Sequence, residues 1–337
     1  MAEHRPIVFG LVGDSAAGKT TLTGGLTRLL GLERVTHVCT DDYHRYDRKE
    51  RAECGITALH PDCNYMDILE LHLERLHYGQ PILKPVYDHS NGTLVRPSYV
   101  QPREFVIVEG LLGYYTQNMR QFYDVKVFLC PPEDLRRVWK IKRDTQKRGY
   151  TRDEVLDEMV KREPDSEHFI RPQRPYADIV IQFYPPEGVT AEAAGGNLNV
   201  RLILRPTIPH PDLSYLNDSA HDPASGIRLG LGRDCGLPVD ILEIDGNVGS
   251  EQAAKLRRAI WAHLPELEHI GSDQFGQYVD NVGQYQHSDP LALTQLLLTF
   301  HLFRDRDRTA LRGYAPPVAA LSRVAPIGAP ALTGDER

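Results

Sequence analysis

Gly13-Asp14-Ser15-Ala16-Ala17-Gly18-Lys19-Thr20 satisfies every fixed position of the pattern G-x-x-x-x-G-K-[ST], and Thr21 follows it. Small residues let such a loop turn tightly, so that its backbone N–H groups converge on one point. A helix opening directly after it aims its positive end at the same point. The chemistry is nucleotide binding. The backbone from Gly13 to Thr21 would cradle the phosphates of ATP, Lys19 would reach the β- and γ-phosphates, and the Thr20 hydroxyl would hold Mg²⁺.

A transferable phosphoryl group needs an acceptor, a carboxylate near the attacking hydroxyl, and cations around the moving charge. Asp41 and Asp42 follow the short β-branched run "VTHVCT", and "DDYHRYDRK" adds His44, Arg45 and Arg48. That mixture suits an anionic substrate better than a plain solvated turn. Glu109 ends four apolar residues in "FVIVEG", which is where an acid can orient magnesium directly or through water. In "KIKRDTQKRG", Lys140, Arg143 and Asp144 stand at i, i+3 and i+4 and share a helix face, with Arg148 one turn on. Read functionally, they are a lid whose cations close over the phosphoryl group; read blandly, a solvated charged helix. "KPVYDHSNG" is expected to be a loop, with Tyr87, Asp88 and His89 suited to gripping a polyol. Arg171 and Arg174 in "FIRPQRPYAD" could bind a phosphate or an adenine ring, or simply be exposed.

The elements that must position these groups can be read from periodicity. Ile7 to Val12 reads as a buried strand and Thr20 to Leu30 as a helix. Strand-like segments at 35–40, 104–113, 124–130 and 177–183 then alternate with helix-like ones at 67–79 and 133–149. Alternation after a P-loop argues for a parallel sheet covered on both faces. The character changes after a Gly/Ala/Glu-rich break at 186–196. Strands are expected at 198–207 and 237–246, and helices at 250–265 and 288–306. The last helix has Ser288 as its cap and is apolar nearly all round, so it belongs in the core or at a subunit contact. The expected organisation is therefore an α/β P-loop kinase fold over 1–185, its mainly parallel sheet flanked by helices, and a C-terminal α+β extension over 186–314. The Ala/Pro-rich tail 315–337 reads as disordered.

A chain of 337 residues can bury a sizeable core, and its 41% hydrophobic and 25% charged content are those of a globular protein. A net charge of -7 argues against general nucleic-acid binding, while the basic residues crowd into 135–148 and 161–174. No apolar run reaches the roughly 18 residues that span a bilayer. An apolar strand begins within seven residues of the first, so no secretory leader is expected. Five cysteines without C-x-x-C pairing point to a reducing, cytoplasmic setting.

Taken together, "DDYH", "TALHPDCNYMDI", "KPVYDHSNG", "VIVEGL", "WKIKRD" and "RPYADIVI" resemble the phosphoribulokinases, most of all their plant and cyanobacterial branch. The resemblance covers residues 6–184 closely and the remainder more weakly. It implies ATP- and Mg²⁺-dependent phosphorylation of ribulose 5-phosphate at its 1-hydroxyl, the Calvin-cycle reaction, by a cytoplasmic homodimer with no nucleic-acid or membrane partner. By position it implies Asp41 as general base, His44 and Arg48 on the sugar phosphate, and Tyr87 and His89 lining the sugar site. Glu109 would serve magnesium, Asp144 would assist at the metal or acceptor, and Lys140, Arg143 and Arg148 would stabilise phosphoryl charge.

One departure is informative. The branch carries a P-loop cysteine that pairs with a second cysteine just before "DDYH"; here Cys39 stands for the second, but the loop position is Ala17. The light-dependent disulfide cannot form in its usual way. Oxidants are expected to leave activity largely unchanged, and strong inactivation reversed by dithiothreitol would refute this. Three alternatives remain open on sequence: a uridine kinase, a kinase of another pentose phosphate, and a scaffold that binds ATP without turnover.

Overall fold

Ile7–Val12 form strand β1, and all six residues are buried. Burial on both faces places a strand inside a parallel sheet with helices above and below. The computed structural model describes residues 5–312 apart from 215, 217–225, 263, 265–273 and 280–282. After β1 come α1 (Lys19–Leu30), β2 (Val35–Cys39), α2 (Arg48–Cys54), α3 (Met66–His77), β3 (Ile82–Asp88), β4 (Thr93–Val100) and β5 (Phe105–Gly110). Next are α4 (Gln117–Arg120), β6 (Val125–Leu129), α5 (Glu133–Lys147), α6 (Arg152–Asp165), β7 (Ile179–Tyr184) and α7 (Ala191–Ala194). β8 (Asn199–Leu204), β9 (Ile227–Asp234) and β10 (Leu237–Ile244) precede two helices, Ser250–Trp261 and Asp289–Arg312, which are separated by a short pair, β11 (Gln277–Val279) and β12 (Tyr285–His287). The tail from Ala315, expected to be disordered, lies outside the described residues.

Eight strands make one sheet in the order β2-β5-β1-β6-β7-β8-β10-β9. β2, β5, β1, β6 and β7 run parallel, and β8, β10 and β9 continue the same sheet antiparallel. Alternate residues of β1 feed two cores. Ile7, Phe9 and Leu11 pack with α1 and the C-terminal helix, and Val8 and Val12 with Leu69, Leu73 and Leu76 of α3. The C-terminal helix is core: it packs on α1, β1 and β8, and Leu291, Leu296, Leu302 and Phe303 are among its buried residues. Its buried Thr294 and Thr299 are satisfied locally, their hydroxyls donating to the carbonyls of Pro290 and Gln295. Ser288 Oγ accepts from Leu291 N, as expected of its cap.

The connections leaving β1, β2, β5 and β6 emerge at one end of the sheet. There β1 has β5 on one side and β6 on the other, the switch point at which open α/β sheets collect ligands. A separate antiparallel hairpin, β3–β4, overhangs that end. No described helix is long and apolar enough to cross a membrane.

Candidate active site

The loop after β1 is shaped by two glycines, one fixed by a close approach and the other by a left-handed backbone. A Cβ on Gly13 would lie 2.2 Å from the Leu129 carbonyl oxygen, because the loop is pressed onto β6. Gly18 has φ 98°, and even Ala16 is held in the left-handed region at φ 65°. Gly18 caps α1 without a side-chain hydrogen bond, and the first turn of α1 holds no acidic residue. The first N–H groups of α1 are therefore presented to an anion at the positive end of the helix. Lys19 Nζ folds over the loop, donating to the carbonyls of Gly13 and Asp14 at 2.7 and 2.9 Å. Burial pulls its pKa below the ordinary lysine value, against the pull of Asp41, Glu109 and Asp14. The Asp14 side chain turns away from the loop, accepting from the buried Ser166 Oγ at 2.6 Å.

Ser15 to Thr21 line one open cleft together with Asp41, His44, Arg48, Tyr87, His89, Glu109, Lys140, Arg143, Asp144 and Arg148. Residues from five separate segments are thus brought together. Arg174 is paired with Asp234 at 2.7 Å, whereas Arg171 pairs with Glu163 at 2.6 Å and also lies 3.7 Å from the Asp14 carboxylate of the loop.

Thr40–Tyr43 form a single 3₁₀ turn after β2, which sends the two tandem acids in different directions. Asp41 faces the cleft. Asp42 turns under the hairpin, where it is paired with the buried Lys84 ammonium and accepts from Tyr87 N at 3.0 Å. One acid is thereby left for chemistry and the other neutralised as a structural anchor. Glu109, 5% exposed, is held from three sides. Thr20 Oγ1 lies 3.4 Å and Thr23 Oγ1 3.2 Å from its carboxylate, and His37 Nε2 3.3 Å.

The charged face of α5 is buried. Arg136, Lys140 and Asp144 are 6%, 3% and 3% exposed, spaced i, i+4 and i+8 beneath α6 and the P-loop. Arg143 flanks this row and reaches across it to Ser15 Oγ at 3.3 Å. Asp144 is the hub: Lys140 Nζ and Arg143 Nε donate to it at 2.9 and 2.8 Å, and Arg148 lies at 3.4 Å. Burial by itself would raise the Asp144 carboxyl, but Arg143 and Lys140 outweigh it and hold it at about 2. Burial and the Arg162 charge bring Lys140 down to about 8, against the attraction of Asp144.

Residues 84–88 correct the expectation of a loop. Tyr87 and Asp88 belong to strand β3, paired with Leu94 and Thr93, and only His89 lies in the turn beyond it. Pro85 shifts the register between Lys84 and Val86, which hides the period-two pattern that marks a strand. Tyr87 is buried with its ring edge-on to both His44 and His89, at 4.9 and 5.0 Å. The Asn64 amide donates to the carbonyls of Ala58 and His60, so its oxygen faces His44 Nδ1 at 2.7 Å. His44 must therefore donate from Nδ1, which leaves Nε2 as the acceptor while the ring is neutral. Burial lowers the pKa of His44 and favours that neutral form.

Arg51, unnoticed in the sequence, donates to Tyr87 Oη at 2.6 Å and stacks over its ring. Its spacing from Arg48 was the available signal: i and i+3 on α2, a helix started by the Asp47–Glu50 capping box. Arg48 is exposed and donates to the His89 carbonyl at 2.9 Å, which tethers α2 to the hairpin turn. Arg48→Ala is expected to raise KM for the sugar phosphate at least about tenfold while KM for ATP holds, within the range for losing a charged hydrogen bond. Steady-state kinetics with each substrate varied in turn check this. Lys84 and His37 gave no sequence signal, because nothing near them in the chain shows what they face.

A parallel sheet with a nucleotide loop at its switch point and an acid-and-cation cleft beyond it defines a P-loop kinase. A model of the Phosphoribulokinase / Uridine kinase family matches residues 8–190. The chain is 36% identical to a phosphoribulokinase of Synechocystis sp. over 256 residues, covering 72% of this chain and 77% of that protein. It is 34% identical to a uridine kinase of Oceanobacillus iheyensis over 195 residues, covering 56% and 90%. The solved phosphoribulokinase from Rhodobacter spheroides superposes with a TM-score of 0.55 at 21% identity, over 78% of this chain and 96% of that one. The chain belongs to the phosphoribulokinase/uridine kinase family and is a kinase.

Proposed function

We propose that this enzyme transfers the γ-phosphoryl group of ATP to the 1-hydroxyl of ribulose 5-phosphate, yielding ribulose 1,5-bisphosphate in the Calvin cycle. The single observation that carries this is the separation of Asp41 from Asp42: one carboxylate faces the P-loop cleft while its neighbour is neutralised by Lys84. Asp41 takes the hydroxyl proton, and that oxygen attacks the γ-phosphorus in line. Lys19, Arg143 and Arg148 neutralise the charge that develops, and Asp144 positions Lys140 and both arginines. Arg48 and Arg51 grip the phosphate already on the sugar, with His44, Tyr87 and His89 around its hydroxyls.

Thr20 and Glu109 would hold Mg²⁺, since a hydroxyl and a carboxylate are the hard oxygen donors that this ion takes beside nucleotide phosphates. When bound, it screens charge on the β- and γ-phosphates.

A nucleoside acceptor has no phosphate to occupy Arg48 and Arg51. The match to the uridine kinase also spans less of the chain than the match to the Synechocystis phosphoribulokinase, and both facts support a sugar phosphate over uridine. We further propose a cytoplasmic homodimer. All five cysteines are free, as suits a reducing compartment. β9 ends the sheet among the described residues with Leu231 91% exposed, an open strand edge that a second copy would cover. The extension after residue 185 would serve as support and subunit contact.

Coupled ADP release with a panel of sugars, sugar phosphates and uridine, with and without magnesium, tests the reading. Release with ribulose 5-phosphate alone is expected. Release with uridine would overturn the acceptor assignment, and none with any acceptor would favour a scaffold.

A further inference from the structure

Cys39, Asp41 and His89 come from the end of β2, the turn after it and the tip of the hairpin. One ligand atom from each lies within 4.8 Å of the other two. Among the described residues no other group of three His, Cys, Asp or Glu side chains converges in this way. We propose that these three residues form an inhibitory zinc site built on the catalytic base. The site rests on the assignment of Asp41 as base only for its effect on turnover, not for its existence.

The donor set decides the ion. A thiolate, an imidazole nitrogen and a carboxylate oxygen, with water as fourth ligand, are what tetrahedral Zn²⁺ takes in three-ligand protein sites. Mg²⁺ demands six hard oxygen donors and gains nothing from sulfur or imidazole. The two cations therefore sort by softness within one cleft, magnesium to Thr20 and Glu109 and zinc to Cys39, Asp41 and His89. Glu109, in register with Cys39, adds a carboxylate beside the site, facing the Lys19, Arg143 and Arg148 cations of the same cleft. Access is open as well, since His89 is exposed and all three residues line or adjoin the substrate cleft.

On binding, Cys39 gives its proton to solvent and its sulfur to the metal, with no change of oxidation state. Asp41 then has its lone pairs engaged and cannot accept the proton of the acceptor hydroxyl. The consequence is reversible inhibition by zinc at saturating magnesium. It competes with the sugar phosphate, whose hydroxyl must approach the same carboxylate, and not with ATP.

The test uses the full-length protein and two readouts. Co²⁺ titration without substrate should produce the thiolate-to-cobalt charge-transfer absorption, and Zn²⁺ should displace it. Cys39→Ser should abolish the band while keeping basal turnover, and should raise the inhibitory zinc concentration at least about tenfold, given that losing even an outer-shell partner costs 10–100-fold. His89→Gln, read by cobalt affinity alone, should weaken binding by a similar factor and covers the case in which Cys39→Ser does not fold. The proposal is overturned if no charge-transfer band appears, or if zinc inhibits Cys39→Ser as strongly as the parent. Relief by excess Mg·ATP would likewise refute it, because it places the zinc at the nucleotide site. Since the cobalt titration needs no acceptor, a failed acceptor panel would leave its result intact.

Discussion

Asp41→Asn is expected to lower kcat by at least about 10²-fold while ATP binding and KM for the sugar phosphate stay within a few-fold, the loss usual for a removed general base. The amide keeps the shape and hydrogen-bonding reach of the acid but has no basic lone pair for the proton of the acceptor hydroxyl. Asp42 cannot take over, because its carboxylate is paired with Lys84 and bonded to Tyr87 N on the far side of the turn. Glu109 is committed to Thr20, Thr23 and His37. The companion Asp42→Asn gives the contrast. It should cost stability by leaving a buried ammonium without its carboxylate, seen as a lower Tm, and leave a smaller mark on the rate of the folded fraction. Near-normal turnover in Asp41→Asn would place the base elsewhere in the cleft.

Lys19→Met should depress turnover by roughly 10²–10³-fold with every acceptor tried, the scale seen when one donor to developing charge is deleted. Methionine retains the stem and loses only the ammonium. In the structure that ammonium satisfies the Gly13 and Asp14 carbonyls, and with ATP bound it would turn to the β- and γ-phosphates instead. The loop shape does not depend on it, since Gly13 is fixed by its contact with β6 and Gly18 by its left-handed φ. Tm should therefore fall little, and nucleotide affinity less than kcat. Equal losses across all acceptors separate this variant from Arg48→Ala, whose defect should appear in KM for the sugar phosphate alone. Unimpaired transfer in Lys19→Met would mean that the loop holds some other group.

The nucleotide half of the cleft was legible in the sequence because it is local. Gly13, Gly18, Lys19 and Thr20 act through a backbone turn that eight consecutive residues specify. The six buried residues of β1 and the nearly all-apolar helix from Ser288 announced burial in the same way. The acceptor half was legible only as a set of candidates. Nothing in "DDYH" says which aspartate faces the substrate; that depends on Lys84, 42 residues away and on a strand whose pattern Pro85 interrupts. Along α5, the spacing of Lys140, Asp144 and Arg148 fits a solvated face as well as a buried one. Packing beneath α6 and against Ser15 made it buried, where Arg143 and Lys140 hold Asp144 at about 2 against the upward push of burial.

By itself the sequence determined a phosphate-binding turn, a parallel sheet to carry it, and an inventory of acids and guanidinium groups fit for phosphoryl transfer. Only the tertiary structure decided which of those groups share a cleft, which are cancelled by a partner, and that β3–β4 overhangs the site as a hairpin. The reason is one of range. Turn geometry and periodicity act over a few residues and leave a pattern in the chain. A carboxylate is kept available or neutralised by charges within a few ångströms, and folding gathers those from segments whose spacing in sequence bears no relation to their distance in space.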